Sequence, residues 1–379
     1  MSELLNDHLD PRRIGHTYWT VGDFKTISKI AALERAGGDL KKVQFHCMDD
    51  LWDRVDSTVE PKTSWDDLLK IRAWQLRDRY SYLALSYSGG WDSSTALMSF
   101  VKNNVPLDEI IIYDRRNYME DREMGTAIST AQQLIKDYNL KTKLSVVDLE
   151  WDYHAKVYEQ YGENYIYLPG CQLCFNQTTR IVKHGNMPIW QQIRNQHPDD
   201  SVGFIEAHDK PRVNLWENKW YHFYIDSGMY TMIGKGGVEM YYHTPHLPEL
   251  QLKQIYMSIR YLENLINTTP GATREIVHKV QSSVCPEYYA EWNRHIGRVC
   301  SPNESAIHGL AKMDNFFSPN KGELARLTGH TQEYMENIYK IWQNGLHKVK
   351  ELSGYDAVSD GIPALMSKQH YVRDFISNK

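Results

Sequence analysis

The sequence predicts an α/β fold with a doubly wound, mostly parallel sheet, helical segments added at both ends and a small antiparallel insertion. Three short apolar segments have the length of buried strands, and a segment with helical spacing follows each of them. The pairs are SYLALSYS with SSTALMSFVKNN, DEIIIYD with MEDREMGTAISTAQQLIKDYN, and KLSVVDL with DYHAKVYEQYG. This alternation requires right-handed crossovers, so we expect parallel strands with helices on both faces of the sheet.

Different patterns flank this core. Residues 1–76 read as helices and loops: DFKTISKIAALERAG has helical spacing, and SWDDLLKIRAWQLRDRY follows Ser64 as its N-cap, with Leu68, Ile71 and Leu76 on one face. We therefore expect an N-terminal helical extension that ends at residue 76.

The core is expected to span residues 77–245. After the three strand–helix pairs, SVGFIEAHD predicts a further strand. KWYHFYIDSGMYTMI and VEMYYHT alternate as antiparallel strands do, and the glycine-rich IGKGGVEM reads as a hairpin turn.

Residues 246–379 are expected to form a C-terminal helical lobe. The segment PELQLKQIYMSIRYLENLIN has an apolar stripe, which favours packing on the core and leaves open an oligomer face or a substrate-recognition lobe. The stripe consists of Leu250, Ile255, Ile259, Leu262 and Ile266.

Composition excludes several classes of protein. The net charge of −5 is not typical of a general nucleic-acid binder, so nucleic acid is a partner that the charge does not indicate. No apolar run approaches the ~20 residues that span a bilayer, and the first residues lack a signal-peptide layout, so we expect a cytoplasmic protein. Five cysteines, an odd number, do not indicate a disulfide framework.

The segment SGGWDSS lies between the first predicted strand and its helix, where open parallel sheets bind ligands. Gly89 and Gly90 can let backbone amides approach an anion, and a helix that starts at Ser93 or Ser94 would direct free N–H groups to the same point. Asp92 fits beside an anion if Mg²⁺ lies between them, or else it caps the helix. These residues predict either a phosphate cradle or an ordinary capped turn.

In this position, SGGWDSS resembles the PP-loop of the adenine nucleotide α-hydrolase-like superfamily, whose pattern is Ser-Gly-Gly-x-Asp-Ser. IIIYDRRNYMED and VGFIEAHDKPRV resemble two later strands of its phosphoadenosine-phosphosulfate (PAPS) reductase-like branch. The resemblance covers about residues 80–215 and implies a Rossmann-like (HUP) core that uses ATP and Mg²⁺.

The resemblance also implies site residues and a reaction. Asp92, Lys210 and Arg212 would be catalytic, with Lys210 and Arg212 directed to substrate oxygens. A substrate carbonyl, carboxylate or amide oxygen would attack the α-phosphorus of ATP, releasing pyrophosphate, before a second nucleophile displaces AMP. The substrate could be a small molecule, a nucleobase or a nucleotide. The nucleotide-binding positions would be Ser86, Ser88, Gly89, Gly90, Trp91, Asp92, Ser93, Ser94 and Asp114.

The cysteines leave three alternatives open. Cys171 and Cys174 are spaced as half of a zinc or iron–sulfur site, which Cys285 and Cys300 could complete. Otherwise they are unliganded thiols or a redox dithiol. Cys47 has no visible partner and is expected to be buried.

Two other functions remain open. The first is a redox enzyme acting on a sulfonucleotide through Cys171 and Cys174, although no Cys-Gly tail of the reductase kind is present. The second is a non-catalytic nucleotide sensor or assembly protein. His208 is a candidate acid or base or a surface residue, whereas His243 and His246 read as a junction without a ligand role.

Overall fold

The computed structural model describes residues 16–114, 122–148, 151–167, 188–197, 201–207, 210–226, 237–268, 329–357 and 364–376. In chain order the elements are β1 (Thr17–Val21), β2 (Phe24–Thr26), α1 (Lys29–Arg35), β3 (Gln44–Cys47), α2 (Asp49–Trp52), α3 (Trp65–Arg79), β4 (Tyr82–Ser86), α4 (Trp91–Lys102), β5 (Glu109–Asp114), α5 (Arg122–Asp137), β6 (Lys143–Asp148), α6 (Trp151–Tyr161), α7 (Pro188–Gln196), β7 (Val202–Glu206), β8 (Arg212–Trp216), β9 (Lys219–Phe223), β10 (Val238–Met240), α8 (Pro248–Thr268), α9 (Gln332–Ser353) and β11 (His370–Asp374). Two 3-10 turns, Leu40–Lys42 and Gly162–Tyr167, complete the described elements.

The central sheet has five parallel strands in the order β10-β7-β4-β5-β6, which confirms the predicted α/β architecture. The chain runs outward from β4 to β5 and β6, then returns to place β7 on the other side of β4. The strand order therefore reverses between β4 and β7. In open parallel sheets, the crevice at the carboxyl ends of such a strand pair is where ligands bind.

Helices cover both faces of this sheet. On one face Leu83, Leu85 and Ile110 share a buried cluster with residues of α3, α4 and α5. On the other face α7 packs against the sheet, with the Trp190 ring stacked on Phe204 at a centroid distance of 4.7 Å. Burial on both faces explains why the strand segments read as continuous apolar runs.

The N-terminal region is not purely helical, and the expectation of helices and loops is wrong for β1, β2 and β3. Three strands form an antiparallel sheet in the order β2-β1-β3. The turn between β1 and β2 contains Gly22 with φ +56°, a conformation that favours glycine. Only Lys29–Arg35 of the segment DFKTISKIAALERAG is helical, and Ser28 caps this helix by accepting from Ala31 N–H at 3.2 Å.

The cap of α3 is confirmed, but one residue of its predicted buried face is wrong. Ser64 Oγ accepts from Asp67 N–H at 3.1 Å, and Leu68 and Leu76 are buried. Ile71 is 39% exposed, whereas Arg72 takes the buried position because its guanidinium pairs with Glu239 at 3.1 Å. A charged residue can replace an apolar one in a core when its partner is buried with it.

The expected antiparallel insertion differs in its strands. β9 pairs antiparallel with β8 and with β11, which comes from the C-terminal region. β10, predicted from VEMYYHT as antiparallel, is instead the parallel edge strand beside β7. β9 and β10 therefore lie in different sheets. Residues 233–236 of IGKGGVEM, where the hairpin turn was expected, lie outside the described residues.

The C-terminal part combines helices with strand β11. The stripe of α8 packs on the core as favoured, since Leu250, Ile255, Ile259 and Leu262 are buried. α9 begins after the Thr331 cap and ends at Gly354, with φ +79°. No helix in the described part of the chain is long and apolar enough to cross a membrane.

Candidate functional site

The segment from Tyr87 to Gly90 connects β4 to α4 at the carboxyl end of the central strand. β4 lies between β5 and β7, so the loop opens at the point where the strand order reverses. The Tyr87 amide donates to Ile111 O on β5 at 2.8 Å, which continues the ladder by one residue before the chain turns. The loop therefore lies in the crevice expected for a ligand of this fold.

Gly89 permits the tight turn of this loop. Its φ is +74°, in the left-handed region, and a Cβ placed on it would lie 2.7 Å from Ala127 Cβ on α5. Both the backbone conformation and the space at this position therefore require glycine. The loop is held directly against the neighbouring crossover helix.

α4 begins at Trp91, two residues earlier than expected, with Gly90 as its N-cap in an extended conformation. Gly90 has no side chain that could cap the first turn, so no N-cap side chain competes with an anion for the amides of that turn. The Ser93 hydroxyl donates to Gly90 O at 3.1 Å and accepts from Ser88 N–H at 3.3 Å. These two hydrogen bonds of Ser93 stabilise the conformation of the loop.

The other two serines of the motif face in different directions. Ser94 is fully buried, and its hydroxyl donates to Tyr87 Oη at 3.3 Å. Ser88 is exposed, and its hydroxyl accepts from Gly90 N–H at 3.3 Å. The Ser88 hydroxyl also lies 3.2 Å from Ser93 Oγ, so it is part of the hydrogen bonding within the loop. Burial raises the pKa of Tyr87 to about 12.

Asp92 and Lys210 form an ion pair at the mouth of the loop. The Lys210 ammonium contacts Asp92 Oδ1, and the two side chains are 4% and 30% exposed. Asp92 lies in the first turn of α4 instead of capping it, so its carboxylate is close to the positive end of the helix dipole. Lys210 comes from the segment between β7 and β8, so the pair links the two strands that flank the crevice.

A second acidic group lies deeper at the same point, and the sequence analysis did not identify it. Ser86, the last residue of β4, donates its hydroxyl to Glu206 Oε1 at 2.6 Å, and Glu206 is buried at the end of β7. Burial and the Glu206 charge raise the pKa of the neighbouring Tyr113, whose hydroxyl accepts from Trp190 Nε1 at 2.8 Å. The sequence feature that could have identified Glu206 is its position as a charged residue at the end of an otherwise apolar strand.

Tyr242 fixes the first turn of α4 from the opposite side. Its hydroxyl donates to the backbone oxygen of Asp92 at 2.8 Å, and its ring stacks near Trp65 at a centroid distance of 6.3 Å. Burial, followed by the Asp92 charge, raises the pKa of Tyr242. The hydroxyl therefore acts as a neutral donor that holds the backbone of Asp92 in place.

Two more predicted residues can be placed by their strands. Asp114 is the buried last residue of β5, at the same edge of the sheet as the loop, and is in register with Asp148 of β6. Arg212 begins β8, two residues after Lys210, and is in register with Phe223. Of the two predicted basic residues, Lys210 is the one for which an ion pair with Asp92 is observed.

Several candidates lie outside the described residues, namely Cys171, Cys174, Cys285, Cys300 and His208. Cys47 is buried as expected, with its sulfur 3.4 Å from His243 Nε2. Burial lowers the pKa of His246, which lies 3.3 Å from the Arg79 guanidinium.

A divalent cation fits at the loop if it arrives with a ligand that brings its own oxygens. Mg²⁺ in nucleotide sites takes one or two carboxylates, while phosphates and water complete its shell. In the ranges given above, no group of three or more His, Cys, Asp and Glu side chains could hold a metal. Asp92 supplies one carboxylate, which suits a cation that is already bound to phosphates.

Neither a scan against models of protein families nor a search of curated proteins finds a match for this chain. The fold and the residues of the loop are therefore the basis for a functional proposal.

Proposed function

We propose that the protein is an ATP-dependent adenylating enzyme of the PP-loop type, which converts ATP to AMP and pyrophosphate while activating a substrate oxygen. The observation that supports this most directly is the buried Lys210 paired with Asp92 at a glycine loop, in the crevice where the strand order reverses. An ordinary capped turn needs neither a buried cation nor a glycine with φ +74°.

The loop suits the departing pyrophosphate. The first-turn amides of α4 are hydrogen-bond donors fixed in position before the ligand binds. Donors that are fixed in advance stabilise developing charge without paying for reorganisation during the reaction. The ammonium of Lys210 adds a positive charge at the same point.

Mg²⁺, held by Asp92 together with the phosphates, would supply charge neutralisation to the leaving group. Tyr242 keeps the Asp92 backbone in place, and the hydrogen bond from Ser86 to Glu206 joins the ends of the two strands that flank the crevice. The substrate oxygen would attack the α-phosphorus, the bond from this phosphorus to the bridging oxygen would break, and the electron pair would leave with pyrophosphate.

The substrate class is proposed as a nucleobase, a nucleotide or a small carboxylate or amide, whose oxygen becomes a good leaving group once adenylated. A second nucleophile, ammonia or a sulfur donor, would then displace AMP.

Pyrophosphate release from Mg²⁺·ATP tests this function with the full-length protein and panels of nucleobases, nucleosides, carboxylates and amides. We expect one class to stimulate release, and Asp92→Ala and Lys210→Gln to abolish it. Lys348→Gln is a matched control, because Lys348 is also ion-paired, with Glu163 at 2.7 Å, but lies on α9. Mg²⁺·ATP binding without release by any panel would contradict catalysis and favour a nucleotide sensor.

A further inference from the structure

We infer that a cavity at the amino-terminal ends of β4, β5 and β6 is a separate ligand site, which takes a neutral planar heterocycle of the purine or pyrimidine type. The cavity has a volume of about 540 Å³, within the roughly 300–1,000 Å³ of small-molecule sites. The glycine loop lies at the other end of α4, a helix of 12 residues and therefore about 18 Å long. The inference does not depend on the proposed reaction.

The inner wall of the cavity is apolar. Its buried residues come from one face of α4 and from the connection between α4 and β5, namely Leu97, Phe100, Val101, Val105 and Leu107. Tyr138, which follows α5, adds an aromatic ring to the lining and is 42% exposed. An apolar wall beside an exposed aromatic ring suits a flat ligand, because planar rings stack on one another.

Two helices end beside this cavity in the same way. After α4 the Val105 N–H donates to Phe100 O, and after α5 the Leu140 N–H donates to Ile135 O, both at 2.9 Å. A bond that spans five residues at the end of a helix defines a Schellman motif, and an apolar residue commonly supplies its donor. The backbone carbonyls at both helix ends are therefore partly satisfied within the chain, so the side chains of the two motifs are the groups to consider for a ligand.

The two motifs place one asparagine each in the lining of the cavity. Asn104 and Asn139 occupy the left-handed positions, with φ +52° and +47°, and both are exposed. A side-chain amide offers a donor and an acceptor together, which is the combination that pairs with the ring nitrogens and exocyclic groups of a base. A purely apolar ligand would displace water from these amides without replacing its hydrogen bonds.

The charged groups in the lining do not require an ion. The Asp108 carboxylate is 2.7 Å from the Arg77 guanidinium and accepts from Leu83 N–H at 2.7 Å, so its charge is compensated within the protein. Lys141 is exposed, and its ammonium can remain in water at the end of a long side chain. The cavity therefore favours a neutral ligand over a charged one.

Glycine substitutions separate a role in binding from a role in ending the helices. Asn104→Gly and Asn139→Gly keep the left-handed backbone, for which glycine is the preferred residue, and remove only the amide. Both variants should therefore fold as the wild type does, while each weakens binding of a base by about fivefold, the effect of one lost hydrogen bond. Tyr138→Ala removes the stacking ring and should weaken binding by about tenfold.

The experiment is calorimetric titration of the full-length protein with adenine, hypoxanthine, cytosine and uracil, and with indole as a flat ring that has a donor but no acceptor. We expect at least one base to bind, and to bind more tightly than indole. Binding should persist in Gly89→Ala, which separates the cavity from the glycine loop. Titration with the nucleoside of a base that binds then identifies the source of the ligand, since tighter binding indicates a nucleoside or nucleotide and weaker binding indicates the free base.

Two matched controls lie outside the lining of the cavity. Asn218→Gly makes the same substitution at another left-handed asparagine, with φ +60° in the turn between β8 and β9. Tyr371→Ala removes a tyrosine ring of similar exposure, 39%, from β11. Both should leave binding of the base unchanged.

Three results would overturn the inference. The first is wild-type protein that binds none of the four bases. The second is a base whose affinity is the same in Tyr138→Ala and in both asparagine variants as in the wild type, because that base would bind elsewhere. The third is equal affinity for indole and for the bases, which would mean that the cavity does not recognise the polar edge of a heterocycle.

Discussion

Two lysine–aspartate pairs in this protein have the same chemistry but different surroundings. Lys29 and Asp226 are 2% and 1% exposed, with their charged atoms 2.6 Å apart. Asp226 also accepts from Trp19 Nε1 at 3.2 Å and from Leu365 N–H at 2.9 Å, so it ties the N-terminal sheet to the C-terminal region. Lys210 is equally buried, but its partner Asp92 is 30% exposed and lies at the mouth of a glycine loop.

The difference indicates which pair can exchange partners. Breaking a fully enclosed pair leaves an uncompensated buried charge, so the enclosed pair of Lys29 and Asp226 is structural. When one partner of a pair is exposed, water, a cation or a ligand anion can take the place of the broken contact at a lower cost in free energy. The burial of the aspartate therefore distinguishes a structural ion pair from one at a binding site. The presence of a pair alone does not.

The largest expected effect comes from removing each lysine in turn. Lys29→Met should lower the free energy of unfolding by about 3–5 kcal/mol, because Asp226 stays buried without its cation. Lys210→Met should cost only about 1–2 kcal/mol, between the values for exposed and buried pairs, because water reaches Asp92. Urea unfolding of both variants measures the difference.

The double variant Lys29→Met with Asp226→Leu is the control for the enclosed pair, since it removes both charges and should recover much of the stability. Equal losses in the two single lysine variants would remove the distinction between the two regions.

Acid should lower the stability of the protein mainly through His222 of β9 and not through the loop between β4 and α4. Burial, and then the charge of His370, lowers the pKa of His222, which is within hydrogen-bond distance of Ser57 Oγ at 3.1 Å. The unfolded chain takes up a proton near the ordinary value of 6.5 and the folded chain does not, so stability falls as pH drops below 6.5. One such histidine gives a slope of up to about 1.4 kcal/mol per pH unit.

Urea unfolding at pH 7.5, 6.0 and 5.0 checks this slope; the pH values are chosen to bracket the ordinary histidine pKa, roughly 6.5. His222→Gln should reduce it, while Lys210→Met should leave it as in the wild type. A slope unchanged by His222→Gln would mean that acid sensitivity comes from another group.

The smallest expected effect comes from replacing a tyrosine by phenylalanine, once beside the loop and once near β9. Tyr242→Phe removes the donor to the Asp92 backbone and should weaken Mg²⁺·ATP binding by about fivefold, the cost of one hydrogen bond. Tyr224→Phe removes a similar bond, from the residue after β9 to Gln251 Oε1 of α8 at 2.7 Å, and should leave binding unchanged. Calorimetry on both variants tests whether Tyr242 positions the loop, and equal affinities would show that it does not.

The local features of the fold could be predicted from the sequence because they depend on neighbouring residues. The parallel sheet follows from buried strands alternating with helices, and the Ser64 cap follows from one side chain and the next turn. The glycine loop between β4 and α4 was placed correctly for the same reason, although the helix begins at Trp91.

Contacts between distant segments could not be predicted in this way. Ser86 and Glu206 are 120 residues apart in sequence, and nothing local to either indicates that parallel pairing of β4 and β7 aligns them. Strand β10 was assigned to the wrong sheet because alternation does not distinguish an antiparallel strand from a parallel edge strand. Lys210 was predicted as a site residue from a resemblance, but its pairing with Asp92 depends on the fold.

The most direct test of the proposed site is calorimetric titration with ATP in Mg²⁺, comparing Gly89→Ala with Gly354→Ala. Both glycines have left-handed φ, +74° and +79°, so both substitutions carry similar backbone strain. Only at Gly89 would the added Cβ meet a neighbour, at 2.7 Å from Ala127 Cβ, whereas space is open at Gly354. We predict that Mg²⁺-dependent ATP binding is lost in Gly89→Ala and kept in Gly354→Ala. Equal ATP binding by both variants, or none by the wild type, would contradict a phosphate site at this loop.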